Sequence, residues 1–86
     1  VGELLKALED KGLSDNTVIL FTSDHGDMLC EKGMVQKKCF YEWSARVPLI
    51  MSFPDGFKSG LRVREPVSLI DIMPTILDVA GVKEEE

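Results

Sequence analysis

Apolar and polar positions along the chain fall into blocks of different period, and each block predicts an element. In residues 1–11, Val1, Leu4, Leu5 and Leu8 recur at three- and four-residue spacings, while Glu3, Lys6, Glu9, Asp10 and Lys11 fill the other side. This is the stripe of an amphipathic helix, and Gly12 suits the left-handed residue that ends one. Ser14-Asp15-Asn16 reads as a turn. Thr17–Thr22 then carries the unbroken apolar run Val18-Ile19-Leu20-Phe21. A run without alternation predicts a strand buried on both faces, as in a parallel sheet. Helix, turn and strand together read as the second half of a βαβ crossover.

Periodicity is lost over residues 23–45, which hold Gly26, Gly33 and many charges. A loop of that length in a small domain is functional or disordered, and a short helix is expected near Phe40–Ser44. Val47–Phe53 is a second apolar run, with Pro48 at the strand's start or on an edge because it has no N–H to donate. Pro54-Asp55-Gly56 is a turn signal. Gly60–Val67 is expected to be a short extended segment, and Arg62, Arg64 and Glu65 make it an exposed hairpin or edge. Asp71 reads as an N-cap with Pro74 in the first turn behind it. Ile72, Ile76, Leu77, Val79 and Ala80 give that helix an apolar face, and Gly81 ends it.

The expected fold class is therefore α/β, with buried strands flanked by two helices. Two such strands and two helices cannot cover both faces of a sheet. The remaining strands must come from elsewhere in a parent chain, from a second copy, or not at all. The chain also lacks an initiating Met and starts inside a helix, which reads as a piece of a larger protein.

Composition narrows the classes. At 86 residues the chain makes at most one small domain, burying about 60–65% of what its unfolded form exposes. Apolar content of 44% with 29% charged residues argues against disorder. The net charge of −5 owes part of its size to Glu84-Glu85-Glu86, read as a solvated end. With no basic stripe, nucleic-acid binding has no support. No apolar stretch approaches a membrane span, and Val-Gly-Glu does not open a signal peptide. Nothing here fixes a compartment. Cys30 and Cys39, with eight residues between them, form neither a disulfide framework nor a zinc pattern and read as two free thiols.

The candidate chemistry lies where the first strand ends, in Thr22-Ser23-Asp24-His25-Gly26-Asp27. Functional groups of α/β sheets sit just beyond the carboxyl ends of strands. Asp24 is a hard oxygen donor and His25 an imidazole donor. Being adjacent, they can serve one metal only if the backbone turns sharply, which Gly26 permits.

Four blocks carry a resemblance. Asn16–Leu29 resembles the sulfatase family, within the alkaline phosphatase superfamily, and is particularly similar to choline-sulfatase-like members and phosphonate monoester hydrolases. Glu31-Lys32-Gly33 resembles the family's Gly-Glu-x-Gly turn. Ser44–Ile50 is similar to its Arg-Val-Pro-Leu strand, and Val67–Asp78 to its Asp-x-x-Pro-Thr helix. The blocks keep the family's order and spacing over nearly the whole chain. The resemblance implies a fragment of an alkaline-phosphatase-like sandwich, a later segment of the catalytic domain. It implies that Asp24 and His25 are the second pair of ligands to a divalent ion, usually calcium. Lys37 falls where the family has a lysine touching the sulfate or the leaving oxygen, with Lys38 as the alternative one residue on. His25 is alternatively a general acid or base. A sulfate-ester small molecule or saccharide is the implied substrate.

The departures are as specific. Family members take their nucleophile from Cys/Ser-x-Pro-x-Arg, whose Cys or Ser becomes formylglycine. Neither Cys30-Glu31-Lys32 nor Cys39-Phe40-Tyr41 resembles it, and the family's first Asp-Asp ligand pair has no match. Cys30 stands where a Gly is usual and Trp43 where a small residue is common. The isolated chain is therefore expected to be inert and, with open sheet edges, to self-associate. A phosphate- or phosphonate-ester hydrolase segment and a non-catalytic remnant are the alternatives. Among the other residues, Arg46 is expected to form a structural ion pair, Asp27 and Glu31 to support the loop, Met28, Met34, Met51 and Met73 to fill the core, and Tyr41 and Trp43 to pack.

Overall fold

In a computed structural model of the chain, residues 1–82 are described; the Glu84-Glu85-Glu86 end lies outside them. Helix α1 spans Gly2–Asp10. Lys6 and Asp10 pair across one turn of its solvent side at 3.0 Å, a pair that adds only a few tenths of a kcal/mol. Gly12 ends the helix at φ +65°. Its N–H donates to the Glu9 carbonyl and that of Leu13 to the Leu8 carbonyl, both at 2.9 Å, the paired bonds of a Schellman motif.

Strand β1, Ile19–Thr22, follows. Its partner is Leu49–Ser52, in the register Ile19↔Ser52 to Thr22↔Leu49, and the pairing is antiparallel. The expected crossover enters β1 through α1, so pairing with a strand that follows β1 does not bear on it; the one neighbour of β1 among the described residues is antiparallel. The connection between these two strands contains a 3-10 turn, Glu31–Gly33, and a one-turn helix, α2, at Glu42–Ala45. The rest of it is a second ladder, β2 (Met28–Leu29) against β3 (Val35–Gln36), also antiparallel. With Leu49–Ser52 as β4, the described residues hold two two-stranded sheets, β1–β4 and β2–β3. β1 is half-buried with Phe21 exposed, so the expected burial on both faces is not met: among the described residues no third strand flanks it.

Residues 61–67 form no ladder, which corrects the expected edge or hairpin there. Helix α3, Ile72–Val79, forms where the apolar spacing predicts it, and Gly81 and Val82 close it with a second Schellman pair to Asp78 and Leu77. Its start differs from expectation. A 3-10 turn, Leu69–Asp71, precedes it, and the Asp71 carboxylate accepts the Ser68 N–H at 2.7 Å. Asp71 therefore serves a capping box one turn earlier and makes no side-chain cap to α3.

The buried centre is small. Met28 (1% exposed) and Ser44 (3%) are the buried residues among those described. Met34 and Met51 are half-buried, but Met73 is 64% exposed, which corrects its expected core role: none of the described residues covers it. The accessible surface is 7823 Å², where a self-contained monomer of this length exposes about 5,100 Å². The radius of gyration is 16.4 Å against about 12 Å for a compact domain. The excess is apolar in large part, with Phe40, Ile70 and Leu29 among the exposed side chains.

Candidate active site

Within a strand, neighbouring side chains point to opposite faces, so Asp24 and His25 can act together only because β1 has already ended at Thr22. Two hydrogen bonds hold the turn that follows. The Ser23 hydroxyl donates to the His25 carbonyl at 2.9 Å, and Asp24 Oδ1 accepts the His25 N–H at 3.0 Å.

The ring of His25 is fixed at both nitrogens. Nδ1 lies 2.7 Å from the Gly26 carbonyl and Nε2 2.5 Å from Lys37 Nζ. A carbonyl only accepts and an ammonium only donates, so Nδ1 carries the hydrogen and Nε2 is bare. Asp24 Oδ2 stands 3.4 Å from that same Nε2. The one lone pair of Nε2 is thus taken by the Lys37 ammonium, and a carboxylate oxygen stands beside the pair, a setting that favours positive charge.

Gly26 serves a different purpose from the one expected. Its φ is not positive, so no left-handed turn requires it. Instead its N–H donates to the Ser44 carbonyl at 2.8 Å, and a Cβ there would lie 2.0 Å from the Trp43 carbonyl oxygen. Gly26 lets the loop that carries Asp24 and His25 dock backbone to backbone on α2. Nothing in the local sequence signals that long-range contact, nor the buried Ser44 that makes it.

Lys37 arrives from the β2–β3 ladder. Met28 pairs with Gln36 and Leu29 with Val35, which turns Lys37, just past the ladder's open end, back toward the loop that holds His25. Buried Met28 anchors it. The connecting turn holds Cys30 at φ +78° and Lys32 at φ +56°; the Glu31 carboxylate accepts the Leu29 N–H at 2.6 Å. Lys32 Nζ lies 5.3 Å from the Tyr41 ring centroid, so Tyr41 stacks under a cation rather than packing in a core. Trp43 is half-exposed and bears on the site through its carbonyl oxygen. The ammonium that meets His25 is that of Lys37 and not of Lys38. Arg46 pairs with Glu42 at 3.4 Å on an exposed face, a pair of small energetic weight. Cys30 and Cys39 are free thiols.

Among the described residues no three His, Cys, Asp or Glu side chains converge as a metal cluster. Asp24 and His25 fit a divalent ion as two of its donors. Adjacent ligands of an octahedral ion with bonds of about 2.4 Å stand about 3.4 Å apart, which is the separation of Oδ2 and Nε2.

The chain is similar to known proteins over nearly its whole length. A family model described as Sulfatase matches residues 1–82. The chain is 50% identical over 84 residues to arylsulfatase K of Danio rerio, covering 98% of this chain and 16% of that protein. It is 49% identical over 86 residues to choline-sulfatase of Rhizobium meliloti (strain 1021), covering 100% of this chain and 16% of that one. The structure of BT4656 in complex with its substrate D-glucosamine-2-N,6-O-disulfate superposes with a TM-score of 0.89 at 41% identity, over 99% of this chain and 17% of that chain. The chain thus spans about a sixth of the length of the curated relatives it matches. An α/β segment with this match from end to end of its described residues belongs to the sulfatase family.

Proposed function

We propose that the protein carrying this chain hydrolyses sulfate esters, small-molecule or saccharide, and that the chain supplies one side of its active site. Asp24 Oδ2 and His25 Nε2 contribute two donors to a divalent cation, calcium by family resemblance, and Lys37 contacts the sulfate or the leaving oxygen. The observation that supports this reading most is the meeting at His25 Nε2 of the Asp24 carboxylate, 3.4 Å away, and the Lys37 ammonium, 2.5 Å away; a bound metal ion would take the Nε2 lone pair that the ammonium holds here.

When bound, the cation supplies Lewis-acid stabilisation of charge on the ester's oxygens. The chain's own residues do the rest of the work on this side. Asp24 brings a full negative charge, Lys37 meets the negative charge that builds on the leaving oxygen of the breaking ester, and the Gly26 carbonyl keeps the proton on Nδ1 so that Nε2 stays a donor atom. Because Nδ1 is held, the ligand and acid–base readings of His25 compete for the one atom Nε2. The nucleophile lies outside this chain, which has no Cys/Ser-x-Pro-x-Arg.

The test uses the protein as its host makes it. Hydrolysis of an aryl sulfate should fall at least a hundredfold in Asp24→Asn, and calcium binding by calorimetry should weaken at least tenfold. Preferential turnover of an aryl phosphate would move the reading to phosphoryl chemistry. Unchanged calcium affinity in Asp24→Asn would remove the ligand assignment.

A further inference from the structure

We infer that Gln36 is a positioning residue for Lys37, acting through its backbone. Gln36 has φ +69°, a region that a residue with a Cβ seldom enters and that persists where the surrounding structure over-determines it. It is the last residue of β3, and the next residue is Lys37. On the other strand of the ladder its partner is Met28, the buried anchor. A β3 continued in extended conformation would carry Lys37 onward along the strand direction, at about 3.3 Å per residue. The left-handed step at Gln36 breaks that course where the ladder ends, and Lys37 Nζ reaches His25 Nε2. The Gln36 side chain is exposed and has no hydrogen bond of its own among the described residues, so the backbone angle rather than the amide carries the effect.

The inference rests on the proposed role of Lys37, and its test separates the two. In the protein as its host makes it, Gln36→Gly, which adopts positive φ freely, should keep kcat/KM for an aryl sulfate within about twofold. Gln36→Val, whose branched Cβ opposes that region, should lose roughly 5- to 30-fold. In a Lys37→Met background, Gln36→Val should lose nothing further, because the residue acts only through Lys37. The same loss in both backgrounds, or a loss in Gln36→Gly equal to that in Gln36→Val, overturns the inference.

A second readout is independent of turnover. The ring 15N resonances of His25 should move in Gln36→Val as they do in Lys37→Met, and stay in place in Gln36→Gly. Should Lys37→Met leave activity intact, the lysine's proposed role fails, and the resonances alone still decide whether Gln36 places it. If they do not move in Gln36→Val, the positioning role is wrong.

Discussion

Replacing Gly26 by Ala should disable the site without touching any proposed ligand. The added methyl would lie 2.0 Å from the Trp43 carbonyl oxygen and 3.0 Å from its carbon. Real Cβ atoms do not approach backbone oxygen so closely, and the obstacle is backbone, which cannot rotate away. The loop must therefore retreat by more than 1 Å, on the order of the difference from an ordinary contact of about 3.3 Å. That retreat breaks the 2.8 Å hydrogen bond from the Gly26 N–H to the buried Ser44. Overpacking costs about 1–3 kcal/mol, and an orphaned buried partner costs about 1–3 kcal/mol more. His25 is bonded to the carbonyl of the displaced residue, so its ring moves as well, and a shift of about 1 Å at a reacting geometry costs on the order of a hundredfold in rate. Denaturant unfolding and aryl-sulfate kinetics on the host-made protein measure the two effects. Gly33→Ala is the control: Gly33 has φ +70° and nothing stands within 4 Å of where its Cβ would lie, so it should lose about 1 kcal/mol of stability and keep the site. A Gly26→Ala protein with native stability and native turnover would show that the docking of this loop on α2 has been misjudged.

Three further outcomes are expected. Asp71→Ala removes the carboxylate that accepts the Ser68 N–H, and denaturant unfolding should report a loss of about 1 kcal/mol with turnover retained. Lys37→Met should lower kcat/KM by about a hundredfold and Lys38→Met by less than about threefold; the reverse ranking would transfer the role to Lys38. The 86 residues expressed alone should hydrolyse no aryl sulfate and should self-associate in light scattering, and a clean monomer at high concentration would contradict the account of their open surface.

How much of this was legible depended on whether the signal was local. The helices were, because stripe and stop are both local: Leu4, Leu5 and Leu8 with Gly12, and Ile72, Ile76 and Val79 with Gly81, are found where the spacing puts them. The run Val18-Ile19-Leu20-Phe21 announced a strand but not its partner. Its antiparallel partner, Leu49–Ser52, lies beyond the long irregular stretch that follows, and nothing local in the run names it. Burial was misjudged for the same reason, since Phe21 and Met73 lack the neighbours that their apolarity anticipates. At the site, the residue types Asp24, His25 and Lys37 could be singled out from the sequence by resemblance. What holds them could not: the close approach at Gly26, the left-handed Gln36 and the tautomer of His25 arise from contacts between residues distant in sequence.

The open surface and the proposed chemistry are connected through the dielectric. The Asp24 side chain is 84% exposed and that of His25 34%, so among the described residues the charges of the site face water. Two unit charges 4 Å apart interact by about 1 kcal/mol in bulk water but by about 4 kcal/mol at an effective dielectric near 20. Lys37 can therefore stabilise a developing sulfate charge strongly only where the site is covered. The described residues do not provide that cover: they expose thousands of square ångströms more than a compact monomer would, 7823 Å² against about 5,100 Å². The same missing contacts leave Phe21 and Ile50 on the β1–β4 sheet without partners. A cover that reaches Asp24 and Lys37 in the host-made protein would raise their electrostatic worth, so fold completion and catalytic competence should appear together rather than separately.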